Sequence, residues 1–179
     1  LGVWAKPVLR GPTVTLRPYE AADLDAAWEM AVDPVVATLT GTTEIFTRAH
    51  VRDWVESRAA APERLDLVIE DNASGDFAGE IVVNEHDADA SSANIRIALR
   101  GPEWFGRGMG TEAIGVVSAH VFEVIGLARL TLDVRADNRR AIRAYERHGF
   151  VETARVVEDG VAWVDMALAN PRGTGGAGS

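Results

Sequence analysis

A glycine-rich stretch near the middle of the chain has the composition of a phosphate-binding loop. It runs Phe105-Gly106-Arg107-Gly108-Met109-Gly110-Thr111-Glu112-Ala113, between a predicted strand and a predicted helix. Its three alternating glycines allow tight turns and leave consecutive backbone N–H groups exposed. The positive end of the helix dipole lies at the same place. These features predict a cradle for a phosphate or pyrophosphate, and the alternative is a flexible loop or an ordinary helix start.

Two other classes of nucleotide-binding loop fit this stretch less well. A Walker loop requires Gly-x-x-x-x-Gly-Lys followed by Ser or Thr, and that string is absent. A dinucleotide fingerprint is formally present as Gly108-x-Gly110-x-x-Ala113, but its glycines belong directly at the end of a strand in a βαβ unit. Here residues 100–107 separate the predicted strand from Gly108, and the preceding strands are predicted to be antiparallel. A nicotinamide or flavin enzyme is therefore disfavoured.

Other catalytic constellations are sparse. The chain has no cysteine, which excludes disulfides, thiolate metal sites and an acyl-cysteine intermediate. No Gly-x-Ser-x-Gly motif occurs, which argues against a serine hydrolase. The run Glu85-His86-Asp87-Ala88-Asp89 contains hard-metal ligands, but it lacks a second histidine cluster and the spacing of a calcium loop. A solvated loop without a metal is the prediction for this run.

Composition restricts the classes of partner. The chain has 179 residues, which predicts one domain, and 27 acidic against 18 basic residues give a net charge of -9. An acidic surface repels phosphate backbones, so neither nucleic acid nor an anionic membrane is an expected partner. The chain lacks both an apolar run of about 18 residues and a signal-peptide hydrophobic stretch, so a cytoplasmic location is expected.

Hydrophobic periodicity predicts a mixed α/β fold. Alternating residues predict strands at 13–17, 65–69, 77–84, 93–99, 129–134, 150–157 and 161–168. Spacings of three and four predict helices from Asp23 to a stop at Pro34, and at 48–57, 108–125 and 138–148. This order predicts a mixed sheet with helices on both faces. The domain is predicted to span residues 13–168, between an irregular segment 1–12 and a disordered glycine-rich tail 169–179, with a connecting loop at 85–92.

Three segments resemble the GNAT superfamily of N-acetyltransferases, most closely its RimJ/RimL-type branch of ribosomal-protein N-terminal acetyltransferases. They are Leu16–Leu24, Gly106–Ala113 and Asp137–Phe150, and the resemblance covers roughly residues 13–168. It implies the GNAT fold, with a mostly antiparallel mixed sheet of about seven strands, a splayed parallel pair and about four flanking helices. Two positions depart from the superfamily pattern: Phe105 stands where Gln or Arg is common, and Arg96-Ile97 stands where Gly-Tyr is common.

The resemblance implies acetyl-CoA as cosubstrate and no metal. The pantetheine arm would enter the gap between the splayed strands, beside the backbone groups of Ile97, Ala98 and Leu99. The pyrophosphate would be held by Thr111 and by the backbone N–H groups of Phe105, Gly106, Arg107, Gly108, Met109 and Gly110. Asn138 and Tyr145 would face the cofactor near its thioester.

Acetylation of an amine requires a neutral amine and a proton for the departing thiolate. The resemblance makes Tyr145 the candidate acid, about two helical turns after Asn138 on the same face. The alternative is a core tyrosine packed beside Ile142. Glu80 and Glu85 are the candidate bases, and their five-residue separation puts them on opposite faces of a regular strand. At most one of the two is therefore expected to point into the site.

The predicted acceptor is a primary amine, either a protein N-terminus, as in the RimJ/RimL-type branch, or a small molecule. Because the chain has no cysteine, direct attack within a ternary complex is the simplest route. The alternative function is a catalytically silent acyl-CoA-binding sensor. A homodimer is plausible for this branch.

Overall fold

The computed structural model describes residues 3–173, which form one eight-stranded sheet and five α-helices. The strands are Leu9–Arg10 (β1), Val14–Pro18 (β2), Leu65–Asp71 (β3), Phe77–Asp87 (β4), Ser92–Leu99 (β5), Arg129–Arg135 (β6), Val151–Glu158 (β7) and Val161–Ala169 (β8). The helices are Leu24–Val32 (α1), Pro34–Thr40 (α2), Arg48–Arg58 (α3), Met109–His120 (α4) and Arg139–Arg147 (α5). No helix within residues 3–173 has the length and apolar character needed to cross a membrane.

The sheet contains one parallel pair of strands. Its order is β1-β2-β3-β4-β5-β6-β8-β7, and all neighbours are antiparallel except β5 and β6. The parallel ladder joins only Ser92–Asn94 to Arg129–Thr131, although β5 continues to Leu99 and β6 to Arg135. The two strands therefore diverge beyond the ladder, which confirms the predicted splayed pair and the mixed GNAT-like sheet.

Helices cover both faces of the sheet, as predicted. Leu65, Leu67 and Ile69 of β3 point into a core that also contains residues of α4 and α5. Val68, between them in sequence, points into a second core with α1, α2 and α3. This alternation follows from the two-residue period of a strand, and each fully buried aliphatic side chain contributes about 1.5–3 kcal/mol.

Pro34 begins a helix that the sequence interpretation did not include. α1 ends at Val32, as expected, but α2 starts directly at Pro34. The Asp33 carboxylate accepts hydrogen bonds from the N–H groups of Val35 (2.8 Å) and Val36 (2.9 Å). An aspartate cap followed by proline in the first turn favours a helix start, because proline there removes no helical hydrogen bond. The predicted helix therefore ends before Pro34 as expected, and α2 is an additional helix that the sequence interpretation missed.

The predicted loop at 85–92 is shorter than expected. β4 continues to Asp87, and β5 begins at Ser92. Asn84 pairs with Asn94 while Asp87 pairs with Ser92, so three steps along β4 match two steps along β5. Glu85 has a left-handed φ of 52° at this point. The strand therefore contains a β-bulge with one extra residue.

Both chain ends differ in part from the predicted irregular segments. β1 lies within residues 1–12, and β8 extends to Ala169. The backbone N–H of Asn170 donates to the carbonyl oxygen of Ala128 at 2.8 Å. Residues 174–179 of the predicted disordered tail lie outside the described residues. The predicted helix 108–125 is α4 followed by one π-helical turn, Val121–Ile125, which ends at Gly126 as expected.

The Glu112 carboxylate joins the first turn of α4 to the start of β2. Its Oε2 accepts hydrogen bonds from the backbone N–H groups of Thr13 (2.9 Å) and Val14 (2.6 Å). Hydrogen bonds to a charged acceptor are among the stronger ones in proteins. Glu112 thus attaches the first long strand to the helix that carries the glycine-rich stretch.

Replacing Glu112 by alanine is expected to lower the free energy of unfolding by about 1–2 kcal/mol, because two backbone donors lose a charged acceptor. Urea denaturation monitored by tryptophan fluorescence measures the change. Glu56→Ala, an exposed glutamate on α3, is the control and should change stability by less than about 0.5 kcal/mol. Equal effects of the two substitutions would contradict this role for Glu112.

Candidate functional site

A cavity of about 330 Å³ lies among the end of β5, α2, the start of α4 and one face of α5. We call it the loop cavity. Of the predicted cofactor-binding residues, Arg107 does not line the loop cavity. The residues that do line it are Ile97, Ala98, Leu99, Phe105, Gly106, Gly108, Met109, Gly110, Thr111, Asn138 and Tyr145. The guanidinium of Arg107 instead stacks over the ring of Trp104, 4.8 Å from the ring centre.

Two glycines give the wall of this cavity its backbone conformation. Gly106 and Gly108 have φ values of 73° and 78°, in the left-handed region that other residues avoid. A Cβ atom at either position would meet nothing within 4 Å, so the space in front of this turn is open. The first N–H groups of α4, from Met109 onwards, have no partner within the helix and therefore suit an anionic ligand.

Arginines on α5 were missed in the sequence interpretation. Arg140, Arg143 and Arg147 line the loop cavity, and the guanidinium of Arg140 lies 3.6 Å from the centre of the Phe105 ring. Their spacing of three and four puts them on one helix face. The chain has a net charge of -9, so several arginines on one short helix form a local excess of positive charge, and this excess is visible in the sequence. The loop cavity therefore has positive charge on the α5 side as well as at the start of α4.

Tyr145 lies deep in the cleft. It is only 4% exposed, its ring packs edge-on against Phe150 at 5.4 Å, and it lines the loop cavity. Within residues 3–173 its hydroxyl has no hydrogen-bond partner. Burial raises the pKa of the phenol, the charge of Asp133 raises it further, and Arg96 opposes both. The phenol is therefore protonated at neutral pH, and its ring serves core packing at the same time.

Asn138 also has two roles in the structure. Its side-chain oxygen accepts a hydrogen bond from the N–H of Ala141 at 3.3 Å, which caps α5. The same residue lines the loop cavity. Asparagine is a favoured N-cap, so this capping role follows from the local sequence.

A second cavity of about 740 Å³ lies on the α1–α3 side of the sheet. We call it the acidic cavity, because four carboxylates line it: Glu44, Glu80, Glu85 and Asp133. Its aromatic lining consists of Tyr19, Phe46, Trp54, Tyr145 and Trp163, and its other ionisable residues are His50 and Arg96. Carboxylates and aromatic faces both attract cations, so this cavity suits a positively charged ligand.

Glu80 and Glu85 both line the acidic cavity, whereas the sequence interpretation expected at most one of them to point into the site. In a regular strand their separation would direct them to opposite faces. The extra residue in the bulge reverses the alternation beyond Asn84 and brings Glu85 to the side of Glu80. The bulge depends on how β4 pairs with β5, which the sequence of β4 alone does not reveal.

Glu80 has the environment of a functional carboxyl group. The hydroxyl of Tyr19 donates a hydrogen bond to its Oε2 at 2.6 Å. Burial raises the pKa of Glu80, while the Tyr19 hydrogen bond and the charge of Arg96 lower it. The net effect is a carboxyl group that keeps its proton to a higher pH than usual, which is common at catalytic sites.

The two cavities share a wall. The residues that line both are Val36, Leu39, Thr40, Ile97, Ala98, Asn138, Ala141 and Tyr145. A ligand with an anionic group in the loop cavity would therefore meet a cationic ligand in the acidic cavity beside Tyr145. No group of three or more histidine, aspartate or glutamate side chains in residues 3–173 is arranged to hold a metal ion.

Comparison with known proteins agrees with this geometry. A family model described as the acetyltransferase (GNAT) domain matches residues 13–151. The spermidine N(1)-acetyltransferase of Vibrio cholerae is 29% identical over 116 residues, which are 65% of this chain. The chain spans 61% of the length of that relative.

Two solved structures share the fold. A spermidine N-acetyltransferase from Vibrio cholerae, in complex with CoA and spermine, aligns with a TM-score of 0.81 and 20% identity, over 89% of this chain and 97% of that one. An acetyltransferase of the GNAT family from Bacillus anthracis aligns with a TM-score of 0.80 and 17% identity, over 92% and 99% of the two chains.

The two tyrosines of the chain, Tyr19 and Tyr145, should titrate above the ordinary tyrosine pKa of about 10. Burial raises the pKa of both. At pH 10 the native protein should therefore show much less tyrosinate absorbance than the urea-unfolded chain. Between the two pKa values the folded state keeps protons that the unfolded state has lost. The contribution of these tyrosines to the free energy of unfolding is therefore fully present below about pH 10 and is lost as the pH rises through their folded-state pKa. Identical titration midpoints in the two states would contradict the prediction.

Proposed function

The chain belongs to the GNAT acetyltransferase family, and on that premise we propose that it transfers the acetyl group of acetyl-CoA to a primary amine. The observation that carries the proposal is the shared wall, where Tyr145 and Asn138 face both cavities. A cofactor in the loop cavity and an amine in the acidic cavity would be adjacent there. Holding two reactants side by side supports direct attack in a ternary complex.

GNAT enzymes use acetyl-CoA, which supplies an activated thioester and a thiol leaving group. The donor set of the loop cavity fits its phosphates. The backbone N–H groups of Gly106, Gly108, Met109 and Gly110 form one side together with Thr111, whereas the N–H of Phe105 donates to the carbonyl oxygen of Pro102 at 3.0 Å. Arg140, Arg143 and Arg147 add positive charge on the other side. Ile97–Leu99 lie in the part of β5 that has no ladder to β6, so those of their backbone groups that do not bond β4 are available to the pantetheine arm.

The acceptor amine has to lose a proton, because an α-amino group has a pKa of about 8 and a lysine about 10.4. Glu80 and Glu85 are the carboxylates that we propose for this step. The bound ammonium first gives one proton to solvent, which leaves its nitrogen with a free electron pair. As that neutral nitrogen bonds to the acetyl carbon and the C–S bond breaks, one of the two carboxylates takes a second proton from it. Tyr145 gives its proton to the departing sulfur, since its raised pKa keeps the phenol protonated at neutral pH.

The acidic cavity supports a cationic acceptor, and the spermidine acetyltransferases among the similar proteins support a small molecule. A protein N-terminus is the other acceptor that we propose, on the resemblance of Leu16–Leu24 and Asp137–Phe150 to the RimJ/RimL-type branch. Either acceptor carries a primary amine that is positively charged at neutral pH. The electrostatic argument is therefore the same for both.

A catalytically silent CoA-binding sensor is the second candidate, and the packing of Tyr145 against Phe150 favours it because packing alone accounts for a buried ring. Release of free thiol from acetyl-CoA separates the two functions. The absence of cysteine removes any protein background from a thiol assay. An enzyme releases thiol in the presence of spermidine or of a peptide with a free N-terminus, whereas a sensor binds acetyl-CoA without release.

Gly108→Ala is expected to weaken acetyl-CoA binding at least tenfold, because alanine strains the left-handed turn and adds a methyl group on the cavity wall. Isothermal titration calorimetry measures the affinity. Gly75→Ala is a matched control, since Gly75 has a φ of 77° and equally open surroundings but lies in a turn outside both cavities. Comparable losses of affinity in both variants would show that strain, rather than the cavity wall, is responsible.

Tyr145→Phe is expected to lower kcat by about 100-fold, the loss typical of a missing general acid. The KM for acetyl-CoA should change little, because phenylalanine keeps the contact with Phe150 and the hydroxyl bonds no described residue. Steady-state kinetics and the melting temperature check both parts. Unchanged kcat in a stably folded variant would exclude Tyr145 as the acid.

A further inference from the structure

Tyr19 is fixed in the wall of the acidic cavity. It follows β2, is 7% exposed, and packs edge-on against Trp54 with 5.0 Å between ring centres. The ring of Phe77 lies at 5.9 Å on another side. Because these aromatic contacts hold the ring, the direction of its hydroxyl group is defined by the fold.

The Tyr19 hydroxyl orients the carboxyl group of Glu80. The backbone of Glu80 is held by pairing with Val68 on β3 and with Ala98 on β5. The Tyr19 hydroxyl then donates to Oε2 at 2.6 Å, a short distance typical of a donor to a carboxylate. In the described part of the chain, Oε1 makes no hydrogen bond. One oxygen is thus anchored and the other is available to a ligand.

Glu85 has no comparable anchor. It is exposed, and it lies on the bulge with a left-handed φ of 52°. Its carboxylate makes no hydrogen bond or ion pair within residues 3–173. A base that must reach one proton in a defined geometry requires such support, because small displacements cost much of the rate.

We infer that Tyr19 is a positioning residue that holds Glu80, rather than Glu85, as the group that takes the proton of the attacking amine. This inference rests on the proposed function. As the neutral amine nitrogen bonds to the acetyl carbon, its proton moves to Oε1 of Glu80, the C–S bond breaks, and the departing sulfur takes the proton of Tyr145. The Tyr19 hydroxyl keeps its own proton throughout and stabilises the carboxylate before the transfer.

The charges around Glu80 define the expected pH dependence. Burial raises its pKa, and the Tyr19 hydrogen bond lowers it. The other ionisable groups that act on Glu80 or share its cavity are Glu44, His50, Arg64, Asp66, Glu85, Arg96, Asp133 and Tyr145. Since Glu80 must be ionised to act as a base, activity falls as the pH drops through its pKa. Removing the Tyr19 donor should raise that pKa and move the acid limb of kcat/KM to higher pH.

The test compares pH profiles of kcat/KM for the wild type, Tyr19→Phe, Glu80→Gln and Glu85→Gln, with acetyl-CoA and spermidine or a free-N-terminal peptide. Tyr19→Phe should shift the acid limb upward and lower the plateau by about tenfold, without changing the KM for acetyl-CoA. Glu80→Gln should abolish the acid limb and lower kcat/KM by about 100-fold or more. Glu85→Gln should retain the limb at its wild-type position.

Several results would overturn the inference. A uniform loss of activity in Tyr19→Phe, with the acid limb in place, would indicate a merely structural role. Loss of the acid limb in Glu85→Gln would show that Glu85, rather than Glu80, takes the proton of the amine. The double variant Tyr19→Phe/Glu80→Gln should be no slower than Glu80→Gln, because a positioning residue acts only through its partner. A further tenfold decrease of kcat/KM in the double variant would contradict that relation.

A direct titration separates this inference from the proposed function. Carboxyl-carbon NMR of the ligand-free protein, assigned by comparison with Glu80→Gln, measures the pKa of Glu80 in the wild type and in Tyr19→Phe. A higher pKa in Tyr19→Phe supports the positioning role, and equal values overturn it. Failure of the wild type to release thiol with any amine would instead defeat the proposed function.

Discussion

The parallel ladder between β5 and β6 joins only three residue pairs, and the site depends on where that ladder ends. Beyond Asn94 and Thr131 the strands separate, although β5 stays paired to β4 and β6 stays paired to β8. The gap is therefore supported on both sides. The loop cavity and the acidic cavity meet beside β5, where Ile97 and Ala98 line both, and Tyr145 lies at their common wall.

The two cavities carry opposite charge, which suits two different reactants. The loop cavity combines the start of α4 with the arginines of α5 and attracts anions. The acidic cavity has four carboxylates and attracts a cationic amine. The amine has to become neutral beside those carboxylates, so a carboxyl group with a raised pKa, such as Glu80, is suited to this position.

Side-chain contacts between distant segments fix the relative positions of the elements around the loop cavity. Glu112 attaches the start of β2 to α4, and the stacking of Arg140 on Phe105 joins α5 to the glycine-rich turn. The Nε2 atom of His148, at the end of α5, lies 2.5 Å from the carbonyl oxygen of Thr111 on α4. The elements that line the loop cavity are thus connected to one another by side chains as well as by the sheet.

Local patterns in the sequence were sufficient for most element types and for the glycine-rich turn, because glycine conformations, helix caps and strand alternation depend on neighbouring residues. The splayed sheet and the cofactor-binding residues were expected from the resemblance to the GNAT superfamily, and the arginines of α5 were missed. The start of α2 was also encoded locally, in Asp33 and Pro34, and was missed as well. Only the tertiary structure decided that Glu80 and Glu85 share a cavity and that Tyr19 bonds Glu80. Both outcomes depend on pairing between strands and on contacts across 61 positions of the chain, which no local pattern records.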